Sequence, residues 1–338
     1  MVEARKGPVI RMTKATADTE LIAKAVQLAC RAPSLHNSQP WRWVATKTTV
    51  DLFADPHRVV RSSDNAGREA IIGCGAALDH FRVAMAAAGW NTTVEPFPDP
   101  NRLDHLAAVG LTPVGNVAHA WRDRADAIRR RRTDRLPFRA PENWESFKPA
   151  LRTAWADELV TLDVLGDEAR PQLAEASRFT ERVRRYDEFY HREMDWWTAS
   201  FRKFEGVPQS SLVSSTEGER VGVNRQFPVG GHGRRRSAIG RDKAKILVLS
   251  TPEDTRLEAF RSGQALSAVL LECTMAGLAT CPLTHITEVK ESRQLICDLI
   301  GRTVMPQILI RVGTAPHLNE AAPQTPRRPL REVLEIRR

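Results

Sequence analysis

Two fifteen-residue stretches, "GAALDHFRVAMAAAG" (75–89) and "GQALSAVLLECTMAG" (263–277), carry Gly, Ala, Leu, Ala and Gly at the same five places. A helix with a small-residue surface lets another backbone come close. A repeat of that surface constrains the fold more than any isolated motif. "VDLFAD" (50–55) and "LDVLGD" (162–167) also match in character and stand in the same order. Together they read as a duplicated unit. The two offsets differ, so the second half is expected to hold about seventy-six extra residues between its strand and its helix. These include 196–236, which is rich in Ser, Gly and Pro and long for a connection. Trp196, Trp197, Phe201 and Phe204 are poor company for disorder, so a lid with aromatic anchors is expected at about 190–236.

The local patterns give an α+β chain. "DTELIAKAVQLACRAP" predicts a helix capped by Asp18 and stopped by Pro33. "WRWVAT" and "TTVDLFAD" alternate with period two and predict neighbouring strands; Trp41 and Trp43 fall on the core face. A long alanine-rich helix is expected over 68–89, with strands near 92–96 and 107–112. The second series runs strand (160–167), polar helix, buried strand (243–250), long helix and final strand (306–313). The expected division is 1–124 and 125–338.

Lys and Arg exceed Asp and Glu by nine, mostly as clustered arginines, so a phosphate-bearing partner is plausible. A nucleic-acid partner has only this net charge in its favour, with no helix-turn-helix or stacking pattern. The five cysteines (Cys30, Cys74, Cys273, Cys281, Cys297) include no C-x-x-C pair and read as buried thiols of a reducing compartment. No signal peptide is read at the N-terminus, and no apolar stretch is expected to reach the ~20 residues of a membrane span. A cytoplasmic protein is the expectation. No metal-ligand spacing is found. "GCGAAL" (73–78) lacks the third glycine of a dinucleotide turn.

Four strings carry candidate chemistry. "APSLHNSQPWRW" (32–43) offers Ser34, Asn37, Ser38 and Gln39 in a turn between helix and strand. On residue type alone it is a helix stop with two prolines. "RRTDRLPF" (131–138) is either a solvated charge run or one half of a phosphate site. "GLATCPLTH" (277–285) and "TPRRPL" (325–330) complete the set, and "GHGRRR" (231–236) reads by default as solvated.

Taken together these four strings resemble the FMN-dependent nitroreductase family, and most closely its Acg-type branch, over nearly the whole chain. The resemblance implies a nitroreductase-like α+β fold and FMN as cofactor. It implies that Arg131, Thr133, Arg327 and Arg328 bind the phosphate, Arg132 the ribityl region, and Arg135 the N1/C2=O edge of the flavin. Pro33, Ser34, Leu35 and Asn37 would close the site from the first half. Pro282, Leu283 and Thr284 would lie near flavin N5, with His285 read as a structural histidine. Family homodimers build each flavin site from both subunits. In this chain the PSLHN loop stands first and the RRTDR element second, so the expectation is two pseudo-symmetric lobes mimicking that homodimer, with one FMN per chain. A monomer or weak dimer follows.

Two functions stay open at this point. One is a covered FMN protein with weak or no NAD(P)H turnover, holding or sequestering its cofactor. The alternative is an NAD(P)H-dependent reductase of nitro compounds or quinones acting by ping-pong hydride transfer. Neither needs a side chain as acid or base.

Overall fold

The computed structural model describes residues 17–46, 48–155, 157–200, 203–228, 235–316 and 324–337. Expectations for the first sixteen residues, for Phe201 and for 231–234 lie outside the described residues. In chain order the elements are α1 (Thr19–Ala29), β1 (Trp41–Ala45), β2 (Thr49–Ala54), α2 (Arg68–Ala87), β3 (Trp90–Pro96), β4 (His105–Pro113), α3 (His119–Arg130) and α4 (Trp144–Ala154). Then come β5 (Thr161–Leu165), α5 (Arg170–Arg184), α6 (Glu188–Thr198), α7 (Ser215–Val221), β6 (Lys245–Thr251) and α8 (Arg256–Met275). The chain closes with β7 (Ala279–Leu283), α9 (Lys290–Ile300), β8 (Met305–Gly313), α10 (Leu330–Val333) and β9 (Leu334–Ile336). Asp18 caps α1 as expected, accepting from the Glu20 amide.

The two helices of the repeat, α2 and α8, cross at the centre of the molecule. Their contact is reciprocal. A Cβ on Gly75 would stand 2.1 Å from the Phe260 carbonyl oxygen, and one on Gly263 would stand 2.0 Å from that of Ile72. Each glycine therefore meets the residue three places before its counterpart. Only hydrogen side chains permit this approach. Around the crossing, Leu78, Phe81, Leu266 and Leu270 are buried in one continuous core with Trp41 and Trp43. Among the described residues α2 alone has the length and hydropathy of a membrane span, against the expectation that none would, and 78% of that window is buried in the interior. It is the core helix of this fold.

Two sheets flank the pair, ordered β3-β4-β2-β1-β9 and β5-β6-β8-β7. Read outward from the strand that follows each long helix, the orders are β3-β4-β2-β1 and β7-β8-β6-β5. Thus β6, not β5, occupies the place of β2. Both β2·β4 and β6·β8 carry a register shift, at Leu52/Phe53 and at Leu249/Ser250. The match of "VDLFAD" to "LDVLGD" is corrected accordingly: those strands share an alternating pattern but not a position. The extra chain of the second half lies between β5 and β6, where it forms α5, α6 and α7. The C-terminal strand β9 crosses back and pairs parallel with β1.

Within the extra segment Trp197 is buried, whereas Trp196 and Phe204 are about half exposed. Of the expected aromatic anchors that are described, one is buried. Polar contacts hold the segment instead: Gln39 Nε2 donates to the Phe204 carbonyl (2.8 Å), and Arg58 pairs with Glu205.

Candidate functional site

The PSLHNSQ loop is held in an uncommon backbone. His36, Asn37 and Gln39 have φ of 49°, 58° and 52°. Left-handed non-glycine residues cost roughly 1–3 kcal/mol each and persist where surroundings fix them. The surroundings here come from three parts of the chain. Asn37 Nδ2 donates to Gly206 O and to Pro326 O, both at 3.1 Å. Gln39 Oε1 accepts from the Arg328 amide (2.9 Å), and Ser34 Oγ accepts from the Gln39 amide (3.0 Å). Gly73 on α2 lets the loop lie flat: a Cβ there would be 3.3 Å from that of Ser34.

The RRTDRLPF element leaves α3 and runs beside β7, where Thr133 bridges Thr280 and the Asp134 amide donates to the Thr280 carbonyl (2.9 Å). Its own side chains fix it. Asp134 accepts a two-pronged pair from Arg236 (2.6 and 3.1 Å). Phe138 is fully buried, and its amide donates to Asp242 Oδ1 (2.7 Å). Asp242 is also paired with the fully buried Arg311 at 2.7 Å. An ion pair without solvent contact is costly to break and holds its partners in one arrangement.

Loop and element meet. Ser34, Pro33 and Asn37 line one narrow cavity with Arg131, Arg132, Thr133, Arg135 and Arg327, joined by Arg31 from the end of α1. Arg31, Arg131 and Arg327 have no ion pair among the described residues. Arg131 Nη2 donates to the Arg31 carbonyl (3.1 Å), while its Nε and Nη1 are buried without a partner, as is Arg31 Nε. Burial, and then the neighbouring Arg31 guanidinium, pull Arg131 down to about 10. Burial, then Arg131 and Arg31, pull Arg327 down to about 9. Uncompensated cationic charge with unused donors is the signature of an anion site.

Two of the expected phosphate ligands are corrected. The donors of Arg327 are used on backbone: Nε on Cys30 O (2.6 Å), Nη1 on Thr325 O and Pro326 O, Nη2 on Arg31 O and Ala32 O. It staples the C-terminal segment to the end of α1. Arg328 lines neither cavity; it reaches Gln39 and Glu332.

A larger cavity of about 830 Å³, partly open to solvent, adjoins the first through Pro33, Ser34, Thr133 and Arg135. Leu35 lines it on one side and Pro282, Leu283 and Thr284 on the other. Arg135 stands 5.2 Å from the centre of the Phe227 ring, and burial holds its pKa below the usual value. His285 is buried, with Nε2 on Ser177 Oγ at 3.0 Å and Nδ1 without a partner, so it is not the fully satisfied histidine expected. Burial keeps it neutral.

Further lining residues escape motif reading, among them Arg31, Glu69, Arg225, Phe227 and Arg311. Arg225 and Phe227 come from the long segment between β5 and β6, whose path no periodicity predicts. Arg311 sits in an apolar strand, and a charged residue in "PQILIRVG" was the available signal.

No family model matches the chain. It is 54% identical to a Mycobacterium tuberculosis protein named "Putative NAD(P)H nitroreductase acg", over 94% of this chain and 96% of the relative. A second M. tuberculosis protein, named "Putative NAD(P)H nitroreductase Rv3131", is 37% identical over 98% of this chain and 95% of its own length. Among solved structures, one of an Anabaena variabilis "putative nitroreductase" matches the fold with a TM-score of 0.50 at 10% identity, covering 87% of this chain and 73% of that one.

Proposed function

Since the chain belongs to the nitroreductase family, in its Acg-type branch, we propose that it binds one FMN per chain in the paired cavities, beneath the 203–228 segment acting as a lid. The observation that carries this is the unpaired, buried Arg131 guanidinium facing Arg31 and Thr133. Its donors fit a phosphate, and the adjoining cavity presents Leu35, Pro282 and Leu283 as apolar surface for a ring system. Arg131, Arg132, Thr133 and Arg31 would hold the phosphate. Pro33–Leu35 and Pro282–Thr284 would flank the ring, with Asn37 fixing the loop that carries the first of these. Arg135 would favour negative charge on the ring and so raise its potential. When bound, FMN supplies hydride chemistry between a nicotinamide and a nitro or quinone acceptor.

The single site follows from a duplicated chain, with halves dividing near residue 124, that has lost one of two sites. The helix register that aligns Gly75 with Gly263 sets Phe260 opposite Ile72, Arg261 opposite Gly73 and Phe97 opposite His285. In that counterpart position Phe260 is fully buried against Phe97 (5.7 Å between ring centres), and Arg261 pairs with Asp157 at 3.0 Å. Side chains fill the space a second ring would need.

Access decides what the FMN does. The lid segment brings Val213, Asn224, Arg225 and Phe227 onto the cavity wall, which supports slow exchange with nicotinamides and a role in holding the cofactor. The reading of an ordinary NAD(P)H-dependent reductase has one observation in its favour. A cleft of about 1300 Å³ reaches the same wall through Arg225, Phe227 and His285, and is lined by Arg178, Arg182 and Arg184, which pair with Glu175 and Asp187. Anaerobic mixing of the yellow protein with NADPH separates the two. Slow bleaching with NADPH beside rapid bleaching with dithionite is the expected result; rapid bleaching with NADPH overturns the closed-site reading.

A further inference from the structure

Glu69 is the residue that the sequence leaves without a task. It lies in the first turn of α2 and is 5% exposed. It lines the larger cavity beside Ile72 and Gly73, and it also lines a separate polar cleft of about 870 Å³ formed by Ser62, Asp64, Arg68 and Glu288. No other residue belongs to both linings. The aligned position on α8 is Leu257, so a helix of this kind packs without an acid there.

The charged groups around it are fixed. Arg68 pairs with it from the same helix and is held in turn by Gln307 O (2.8 Å) and Thr287 Oγ1 (3.0 Å). Asp64, in the loop before α2, accepts from the Glu69 amide (3.1 Å) and the Ala70 amide (2.8 Å). After β7, Glu288 is paired with Arg225 and accepts from Thr284 Oγ1 at 3.2 Å, while its Oε2 is buried without a partner. His36, Arg135 and His285 line the same cavity.

We propose that Glu69 binds a proton from the polar cleft to balance the charge of electrons that reach the redox group held in the larger cavity. The inference rests on the FMN reading. A hydride delivered into the cavity brings two electrons and one proton and leaves one negative charge behind. Glu69 holds its carboxyl proton beside that charge, and where it is ionised beforehand it takes one further proton from the cleft with each hydride. The group is suited to this. Burial pushes its carboxyl up to about 8 against the pull of Arg68, so it holds a proton at neutral pH. Negative charge in the cavity shifts it further in the same direction.

The test is the potential of the flavin-loaded protein as a function of pH, for wild type, Glu69→Gln and Glu69→Asp, with flavin content measured on the same samples. In wild type the potential is expected to fall more steeply once pH passes about 8. Below that pH Glu69 is protonated before and after reduction; above it, reduction draws in a second proton. Glu69→Gln is expected to keep its flavin and show one slope throughout, and Glu69→Asp to restore the break. A Gln variant with full flavin and the wild-type break overturns the proposal. A second measurement needs no flavin. Glutamate carboxyls labelled with carbon-13 in the apoprotein should include one that is protonated at neutral pH, titrates near pH 8 and is missing from Glu69→Gln; absence of that signal in wild type, or its persistence in Glu69→Gln, overturns the proposal as well. Wild type that binds no flavin overturns the FMN reading instead, and the labelled carboxyl still decides whether Glu69 holds a proton.

Discussion

Gly263→Ala is expected to destabilise the whole chain, although it adds only one methyl group. That methyl would stand 2.0 Å from the Ile72 carbonyl oxygen and 3.0 Å from the Ala76 nitrogen, both backbone atoms. Neither can rotate away, so α2 and α8 must separate along their length. Overpacking of a tight core costs typically 1–3 kcal/mol and more where backbone must move, so about 3 kcal/mol or above is expected. The melting temperature should fall by roughly 4 °C or more. Gly75→Ala, which meets the Phe260 carbonyl, should match it. Gly277→Ala is the informative contrast. Its φ is +74° and nothing lies within 4 Å of its Cβ, so only local backbone strain opposes the change. Equal melting temperatures for Gly263→Ala and wild type, by thermal unfolding, would contradict the reciprocal crossing.

The second large effect concerns the phosphate. Arg131→Ala is expected to weaken FMN by about 10- to 150-fold, the equivalent of the ~1.5–3 kcal/mol typical of one hydrogen bond to a charged group. The side chain is buried, so solvent does not screen the contact. Riboflavin, which lacks the phosphate, should bind wild type and variant alike. Arg328→Ala should change FMN affinity little, since that side chain lies with Gln39 and Glu332. Fluorescence titration of the apoprotein reads all of these. An Arg131→Ala variant that loses riboflavin and FMN in equal measure would show a structural role instead of a phosphate contact.

Much of this architecture is legible in the residues. The small-residue repeat marks the two helices that touch, and the Asp18 cap marks where the first helix begins. The loop and the arginine element meet as the motif pair requires, because both are anchored by local features: Pro33 ends α1, and Phe138 pins the element to the core. What was not legible has a physical reason in each case. Two alternating strands look alike whatever their place in a sheet, so β5 was matched to β2 although β6 holds that position. An arginine's charge is visible in a sequence, but the partners of its five N–H groups are not. Arg327 therefore read as a phosphate ligand when its donors are used by backbone carbonyls. Glu69 sits in a helix whose composition gives no sign that one side faces a cavity and the other a cleft.

The central claim is that the upstream proline-serine rim and the downstream arginine cradle enclose one flavin mononucleotide within a single chain. Calorimetric titration of apoprotein with FMN, on samples whose chain concentration and oligomeric state are known, tests it most directly. One FMN per chain, lost or sharply weakened in Arg131→Ala, is the predicted result. Two per chain would mean that the position filled by Phe97, Phe260 and Arg261 opens to a second flavin, and none would mean that the arginines serve another anion; either result contradicts the account.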